Sequence, residues 1–295
     1  MRNITRNRLI FPEKVMIQTS SFCNSDCIMC PYKETSKEVS QGQMDWKVFK
    51  KITNECKKND VKRILLYLMN EPLMDKDIVK KINYAKRKNP KTIVHIVSNG
   101  SILNKKTSKK IIKSKLDYIE LSVHGMTTKT YEKIMRGLDF KKTIKEITKF
   151  IELAKEYRKD ENYINIKLLN VKNLLNKKEK EEAKKFWNDL GVKNVNYFEA
   201  PISRAGNIDW LKINLKKEVN GCNSIWRNEM IHILYNGDVV LCCMDWKRKN
   251  ILGNVNKQSL NDIWNSEKYL KIEMMIKGEI LSSEDFICKK CEESL

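Results

Sequence analysis

Three cysteines, Cys23, Cys27 and Cys30, fall within the eight-residue stretch CNSDCIMC, on a loop after an apolar run. A disulfide needs two cysteines and a closed zinc site four ligands. The nearest histidine, His95, is far away in sequence. Cysteines packed as small hydrophobes would not gather in a polar Asn-Ser-Asp loop. Three thiolates on one short loop suit a 4Fe–4S cluster held by three of its irons, the fourth being open to a substrate or cofactor. A second group, Cys222, Cys242, Cys243, Cys288 and Cys291, lies toward the other end of the chain, and Cys56 stands alone on a helical stretch, where it reads as core.

The elements that must position these groups alternate along the chain. The apolar runs KVMIQTS (14–20), RILLYLM (63–69), TIVHIVS (92–98), YIELSVH (118–124), YINIKLLNV (163–171) and VNYFEA (195–200) read as strands. Amphipathic stretches at 45–58, 76–88, 105–115, a region through Tyr157, and 177–191 read as helices. Strands buried on both faces and separated by helices imply a parallel sheet with right-handed crossovers. Six such units suit an α/β fold, a partial (β/α)6 TIM-like barrel, with its chemistry at the carboxyl ends of the strands. Polar residues collect on that rim: the cysteine loop, LMNEPL (68–73), SNG (98–100) and SVHG (122–125). PISRAGNIDW (201–210) reads as a linker, dividing a barrel at 12–205 from a small domain at 206–295. There MIHILYNGDVVLCCMD (230–245) predicts a β-hairpin around Asn236-Gly237, a type I′ pair. SLNDIWNSEKYLKIEMMIKG (259–278) predicts one helix, capped by Ser259 and stopped near Gly278.

Apolar residues make up 41% of the 295, enough for a packed core. No apolar run of 18 residues exists, and the charged start lacks the apolar segment of a signal peptide, so a cytoplasmic protein with no membrane partner is expected. Nine cysteines without a secretory signal point to metal or catalysis rather than disulfides. The net charge of +21 raises the question of nucleic acid. However, the 48 lysines and 10 arginines are dispersed over many helices, the pattern of solvated faces, so nucleic acid is not the expected partner.

The spacing Cys23-x3-Cys27-x2-Cys30, after the first strand of a βα pattern, resembles the radical S-adenosylmethionine (radical SAM) superfamily. Met29 fills the place of the residue near the adenine. LMNEPL resembles that family's Gly-Gly-Glu-Pro segment, which receives the amino group of the methionine moiety; Glu71 and Pro72 match, while Met69 and Asn70 replace the glycines. SNG and LSVHG (121–125) resemble strand ends that line the SAM site, which implies contacts from Ser98, Asn99, Ser122 and His124. His124 stands where many relatives carry Asp; its plain reading is a satisfied core or turn histidine. TYEKIMRGLDF (130–140) also looks like the segment after the fourth strand, and the resemblance covers residues 12–200.

The order Cys222, Gly237, Cys242, Cys288-x2-Cys291 resembles the SPASM/twitch extensions of these enzymes, as does LGNVNKQSLNDIWNS (252–266). The resemblance implies one auxiliary 4Fe–4S cluster on Cys222, Cys242, Cys288 and Cys291, in the short twitch form. Zinc fits four thiolates equally well by geometry. Cys243 would face the other side of its strand and reads as packed, with a ligand role as the alternative.

The implied cofactors are S-adenosylmethionine, at the open iron of the first cluster, and the auxiliary cluster. The implied partner is a flavodoxin- or ferredoxin-type electron donor. Reductive cleavage of SAM would give a 5′-deoxyadenosyl radical that abstracts hydrogen from substrate. The expected substrate is a compact polar molecule or short peptide, because about 12 residues before the first strand leave no room for a leader-binding domain. Net oxidation, a dehydrogenation, is expected. Arg204 and Asp245 lead the candidates for its base, with His124 and Glu199 behind them. The alternatives are a peptide- or protein-modifying maturase, an RNA-binding or RNA-modifying iron–sulfur protein, and a non-catalytic zinc or iron–sulfur module.

Overall fold

A computed structural model describes residues 9–295 except 159, 172–173, 200–202, 209, 212 and 225–226. The linker stretch thus falls partly outside the described residues, as does the side chain of Glu199. Six strands, β1 (Lys14–Ile17), β2 (Arg63–Leu65), β3 (Ile93–Ser98), β4 (Tyr118–Ser122), β5 (Ile164–Asn170) and β6 (Asn194–Glu199), pair in parallel in chain order. Between them run α1 (Tyr32–Glu38), α2 (Trp46–Lys58), α3 (Ile78–Lys88), α4 (Lys105–Ile112), α5 (Thr128–Ile134), α6 (Phe140–Tyr157) and α7 (Lys177–Asp189). This is the open α/β barrel that the alternation predicts. Helix starts are capped by side chains, Asp45 accepting from Lys47 N–H and Asn104 from Lys106 N–H. The helices bury one stripe each; in α2 it is Phe49, Ile52, Thr53 and Cys56, so Cys56 is core.

One expectation is corrected. The strands are not buried alike on both faces. In β4 Ile119 and Leu121 are fully buried in the core, while Tyr118, Glu120 and Ser122 are only half-buried; β5 alternates likewise, with Lys167 half-buried. The unequal face is the inner wall of the open barrel, where a cavity replaces packed side chains.

The C-terminal part adds β7 (Met230–Ile233), β8 (Asp238–Val240) and β9 (Ile251–Asn254) to the same sheet, in the order β6-β5-β4-β3-β2-β1-β7-β8-β9. β7 lies parallel to β1, with Lys14 opposite Met230 and Ile17 opposite Ile233. The sheet therefore continues across the boundary drawn at 205/206. β7 and β8 form the expected hairpin, but its turn is not type I′, which needs positive φ at both central residues. Only Gly237 (φ +89°) takes it; its N–H closes a turn on Leu234 O (2.9 Å) around Tyr235 and Asn236. The single predicted helix is two, α8 (Leu260–Trp264) and α9 (Glu267–Ile276), each with its own serine cap, Ser259 and Ser266. Gly278 (φ +73°) follows the end of α9. A short 3₁₀ turn, Ile287–Lys290, carries Cys288. Among the described residues no helix is long and apolar enough to cross a membrane.

Candidate functional site

The loop after β1 is tied down on several sides. Asp26 N–H donates to Arg136 O (2.8 Å) and Ile28 N–H to Ile134 O (2.9 Å), so the segment after β4 clamps it. Gly137 in that segment has φ +84°, a region that disfavours a side chain. Cys23 N–H donates to Tyr32 Oη (2.9 Å), and Trp210 Nε1–H donates to Ile28 O (2.9 Å). Asn24 donates to Ser101 Oγ (2.9 Å) and accepts from Asn99 Nδ2–H (2.9 Å). Cys23 and Cys27 both have Sγ close to Ser25 Oγ, at 3.3 and 3.4 Å. Asp26, the loop's carboxylate, pairs outward with Lys33 (2.8 Å), which leaves thiols as the loop's donor set. Burial pushes the Cys30 thiol up to about 11, against the Tyr32 backbone and the charge of Arg204. Burial drives Cys23 and Cys27 upward too. Such thiols ionise when a metal takes the proton's place, and a thiol-only set from one loop fits a 4Fe–4S cluster.

Glu71, Ser98 and Asn99 form one network beneath this loop. Glu71 is buried, and its carboxylate accepts from Leu73 N–H (3.0 Å), Ser98 Oγ–H (2.7 Å) and Asn99 N–H (2.7 Å). Its own N–H donates to Phe22 O (2.9 Å). Burial raises its pKa to about 7, against these hydrogen bonds. The three residues thus brace the cysteine loop through Phe22 and Asn24. Met29 is buried in the core, and Ser122 ends β4 half-buried, opposite Lys167 of β5. His124 is corrected as a candidate base. Its Nδ1 accepts from Leu169 N–H (3.0 Å), and burial, with the charges of Lys167 and Arg204, lowers it to about 3. It is a satisfied, neutral core imidazole.

The second group is assembled from distant segments. The chain end runs back beside residues 220–223. Asn220 N–H donates to Leu295 O (2.7 Å), Leu295 N–H to Gly221 O (3.0 Å) and Asn223 N–H to Glu293 O (2.6 Å), which sets Cys222 opposite Ser294. Ser294 Oγ–H bridges to Cys288 O (2.6 Å) and Cys291 O (2.9 Å). The β7–β8 hairpin delivers Cys242. Cys222, Cys242, Cys288 and Cys291 all border one cavity of ≈ 350 Å³, and so does Cys243. Burial pushes Cys288 up to about 12 and Cys291 up to about 11. Among the described residues no three His, Cys, Asp or Glu side chains close on a point as they would around a single ion. The four thiols border one cavity, a donor set that zinc or a 4Fe–4S cluster could take.

The far side of that cavity is the barrel's inner wall. Glu120 and Lys167 face each other there (Nζ–Oε1 3.4 Å), with Tyr67, and with His95 stacked on Tyr118 (4.4 Å). These residues were missed from the sequence; the signal available was charge at alternate positions within YIELS and INIKLLN. The charge of Arg204 bears on Cys30, Cys243 and His124. It sits in a turn where Arg204, Ala205 and Gly206 take φ of 56°, 54° and 74°. Two such non-glycine residues in succession are strained backbone of the kind found at functional sites. A guanidinium stays protonated, so Arg204 is an electrostatic group and not a base. Asp245 is also corrected as a base. It is buried, its carboxylate accepts from Lys249 N–H (2.9 Å) and Asn250 N–H (2.8 Å), and it does not border the cavity; it organises a turn.

The family model described as the radical SAM superfamily matches residues 17–175, and the SPASM model, an iron–sulfur cluster-binding domain, matches residues 222–292. The S-adenosyl-L-methionine-dependent 2-deoxy-scyllo-inosamine dehydrogenase of Niallia circulans is 21% identical over 278 residues, 94% of this chain and 91% of that protein. Of solved structures, BtrN in complex with AdoMet and 2-DOIA overlaps 97% of this chain and 94% of its own, at TM-score 0.65 and 19% identity. Streptococcus suis SuiB bound to precursor peptide SuiA overlaps 97% of this chain and 70% of its own, at TM-score 0.72 and 19% identity. At such identities the structures share the fold.

Proposed function

The chain belongs to the radical SAM superfamily and carries a SPASM iron–sulfur domain, and from that premise we propose that it oxidises a compact polar alcohol held in the cavity between its second cysteine group and the barrel's inner wall. It is a radical SAM enzyme whose cofactors are S-adenosylmethionine and 4Fe–4S clusters. Cys23, Cys27 and Cys30 would hold the cluster that takes SAM, and Cys222, Cys242, Cys288 and Cys291 the auxiliary one, together supplying hydrogen-atom abstraction and an electron acceptor. The observation that carries the proposal is the cavity itself. It borders four auxiliary cysteines on one side and Glu120 and Lys167 on the other, and its ≈ 350 Å³ suits a small molecule.

The chain's own residues supply binding and proton handling. The Glu120 carboxylate takes the hydroxyl proton, and Lys167 beside it orients that carboxylate. Burial holds His95 and His232 neutral, at about 3, so both meet the substrate as hydrogen-bonding imidazoles. The balance is one hydrogen atom from carbon, one proton from oxygen and one electron, a net loss of H₂. A flavodoxin- or ferredoxin-type donor would supply the reducing electron.

The Niallia circulans relative makes 2-deoxy-scyllo-inosamine the first probe, followed by other aminocyclitols and amino sugars. Reduced, anaerobic protein is given SAM and each probe deuterated at its alcohol carbons. The expected result is deuterium in 5′-deoxyadenosine and a product that has lost HD from the labelled probe. A product heavier by a methyl, sulfur or adenosyl group overturns the oxidation. A short peptide is the second reading, supported by the overlap with peptide-bound SuiB; the cavity's size favours the small molecule.

A further inference from the structure

Arg227 has no part in the chemistry above, yet it borders the same cavity as the four auxiliary cysteines. It is 6% exposed. One arm of its fork is satisfied: Nη1–H donates to Tyr269 Oη (2.9 Å) and lies 3.9 Å from Glu273 Oε1. The guanidinium also sits 5.3 Å from the centre of the Tyr269 ring. The other donors, on Nε and Nη2, are buried and have no hydrogen-bond partner among the described residues. Leaving buried N–H donors of a cation unpaired is costly, so a resident acceptor is implied. His232 shares the cavity but is neutral, which leaves Arg227 as the fixed positive charge on this side.

We propose that Arg227 donates hydrogen bonds from Nε and Nη2 to sulfur of the auxiliary cluster and thereby raises its reduction potential. This rests on the reading that Cys222, Cys242, Cys288 and Cys291 hold that cluster. Donors and positive charge near cluster sulfur stabilise the reduced form, which carries one more negative charge. Tyr269 and Glu273 orient the guanidinium from behind. Arg227 is thus a positioning and tuning residue that makes the auxiliary cluster a better acceptor of the substrate's electron.

The test uses the Cys23/Cys27/Cys30→Ala background, so that the auxiliary cluster alone is observed. Its reduction potential is measured by EPR-monitored titration with Arg227, Arg227→Gln, Arg227→Met and Arg227→Lys. The neutral variants are expected to shift the potential downward and change the EPR line shape, and Lys to recover part of the shift. An intact cluster with unchanged potential in Gln and Met overturns the proposal and leaves Arg227 a packing residue on Tyr269. If neither neutral variant assembles, ENDOR on the Arg227 protein decides. Strong exchangeable-proton couplings that change in Arg227→Lys support the proposal, and their absence or identity in both overturns it. A background variant that holds zinc or no iron defeats the underlying cluster reading instead, and that result is distinct from an unchanged potential.

Discussion

The two cysteine groups reach the same kind of donor set by opposite routes. Cys23, Cys27 and Cys30 come from one loop, braced by neighbours such as Arg136, Ile134 and Asn99. Cys222, Cys242, Cys288 and Cys291 come from three remote segments, brought together by the β7–β1 pairing and by the chain end lying along 220–223. The first site is a local motif on a rim, and its integrity depends on that rim's hydrogen bonds. The second is a product of the whole fold, and its integrity depends on long-range strand pairing. Damage to one should therefore leave the other standing.

The largest expected effect is at the first site. Cys27→Ala should take reductive SAM cleavage to background while leaving the fold and the second site intact, as read by 5′-deoxyadenosine formation and by circular dichroism. Full cleavage activity in that variant would break the assignment of the loop.

A smaller effect sharpens the claim that the first site is braced from below. Glu71→Gln places an amide N–H against the N–H of Asn99 or Leu73, which costs about 1–3 kcal/mol. SAM cleavage should fall about tenfold, with auxiliary iron unchanged. The pH dependence is smaller again. Burial raises the folded-state pKa of Glu71 from the ordinary 4.5 to about 7, so its protonated form contributes stability that is fully present below about pH 4.5 and lost as pH rises through 7. The difference in urea midpoint between the parent and Glu71→Gln should narrow across that window. A difference that widens would mean that the three hydrogen bonds outweigh burial.

The same contrast explains what could be read from the chain. The first cysteine group was legible as a unit because its members are adjacent, and the strands and helices around it follow two simple periods. Glu71, Ser98 and Asn99 were placed on the right rim, but their brace is invisible in sequence, since it depends on which side-chain oxygen faces which N–H. The second site's cysteines were legible only as a pattern. The parallel docking of β7 on β1 joins residues more than 200 apart, and nothing local announces it. Glu120 and Lys167 were hidden by treating every strand as buried on both faces. The two-helix break at Asn265 and Ser266 was missed because Ser266, a cap, also fits a helix interior weakly. Asp245 and His124 looked chemical by residue type; only their partners reveal that each is already satisfied.

The central claim is that the chain holds two independent 4Fe–4S sites, one on the loop after β1 and one beside the cavity, and reciprocal iron accounting tests it most directly. Iron, zinc and EPR are measured on anaerobically reconstituted parent protein, on Cys23/Cys27/Cys30→Ala and on Cys288/Cys291→Ala. Each variant should retain about half of the parent's iron as an intact 4Fe–4S cluster, and only the second should still cleave SAM. Loss of all iron from either variant, or zinc in place of iron in the first, would contradict the account.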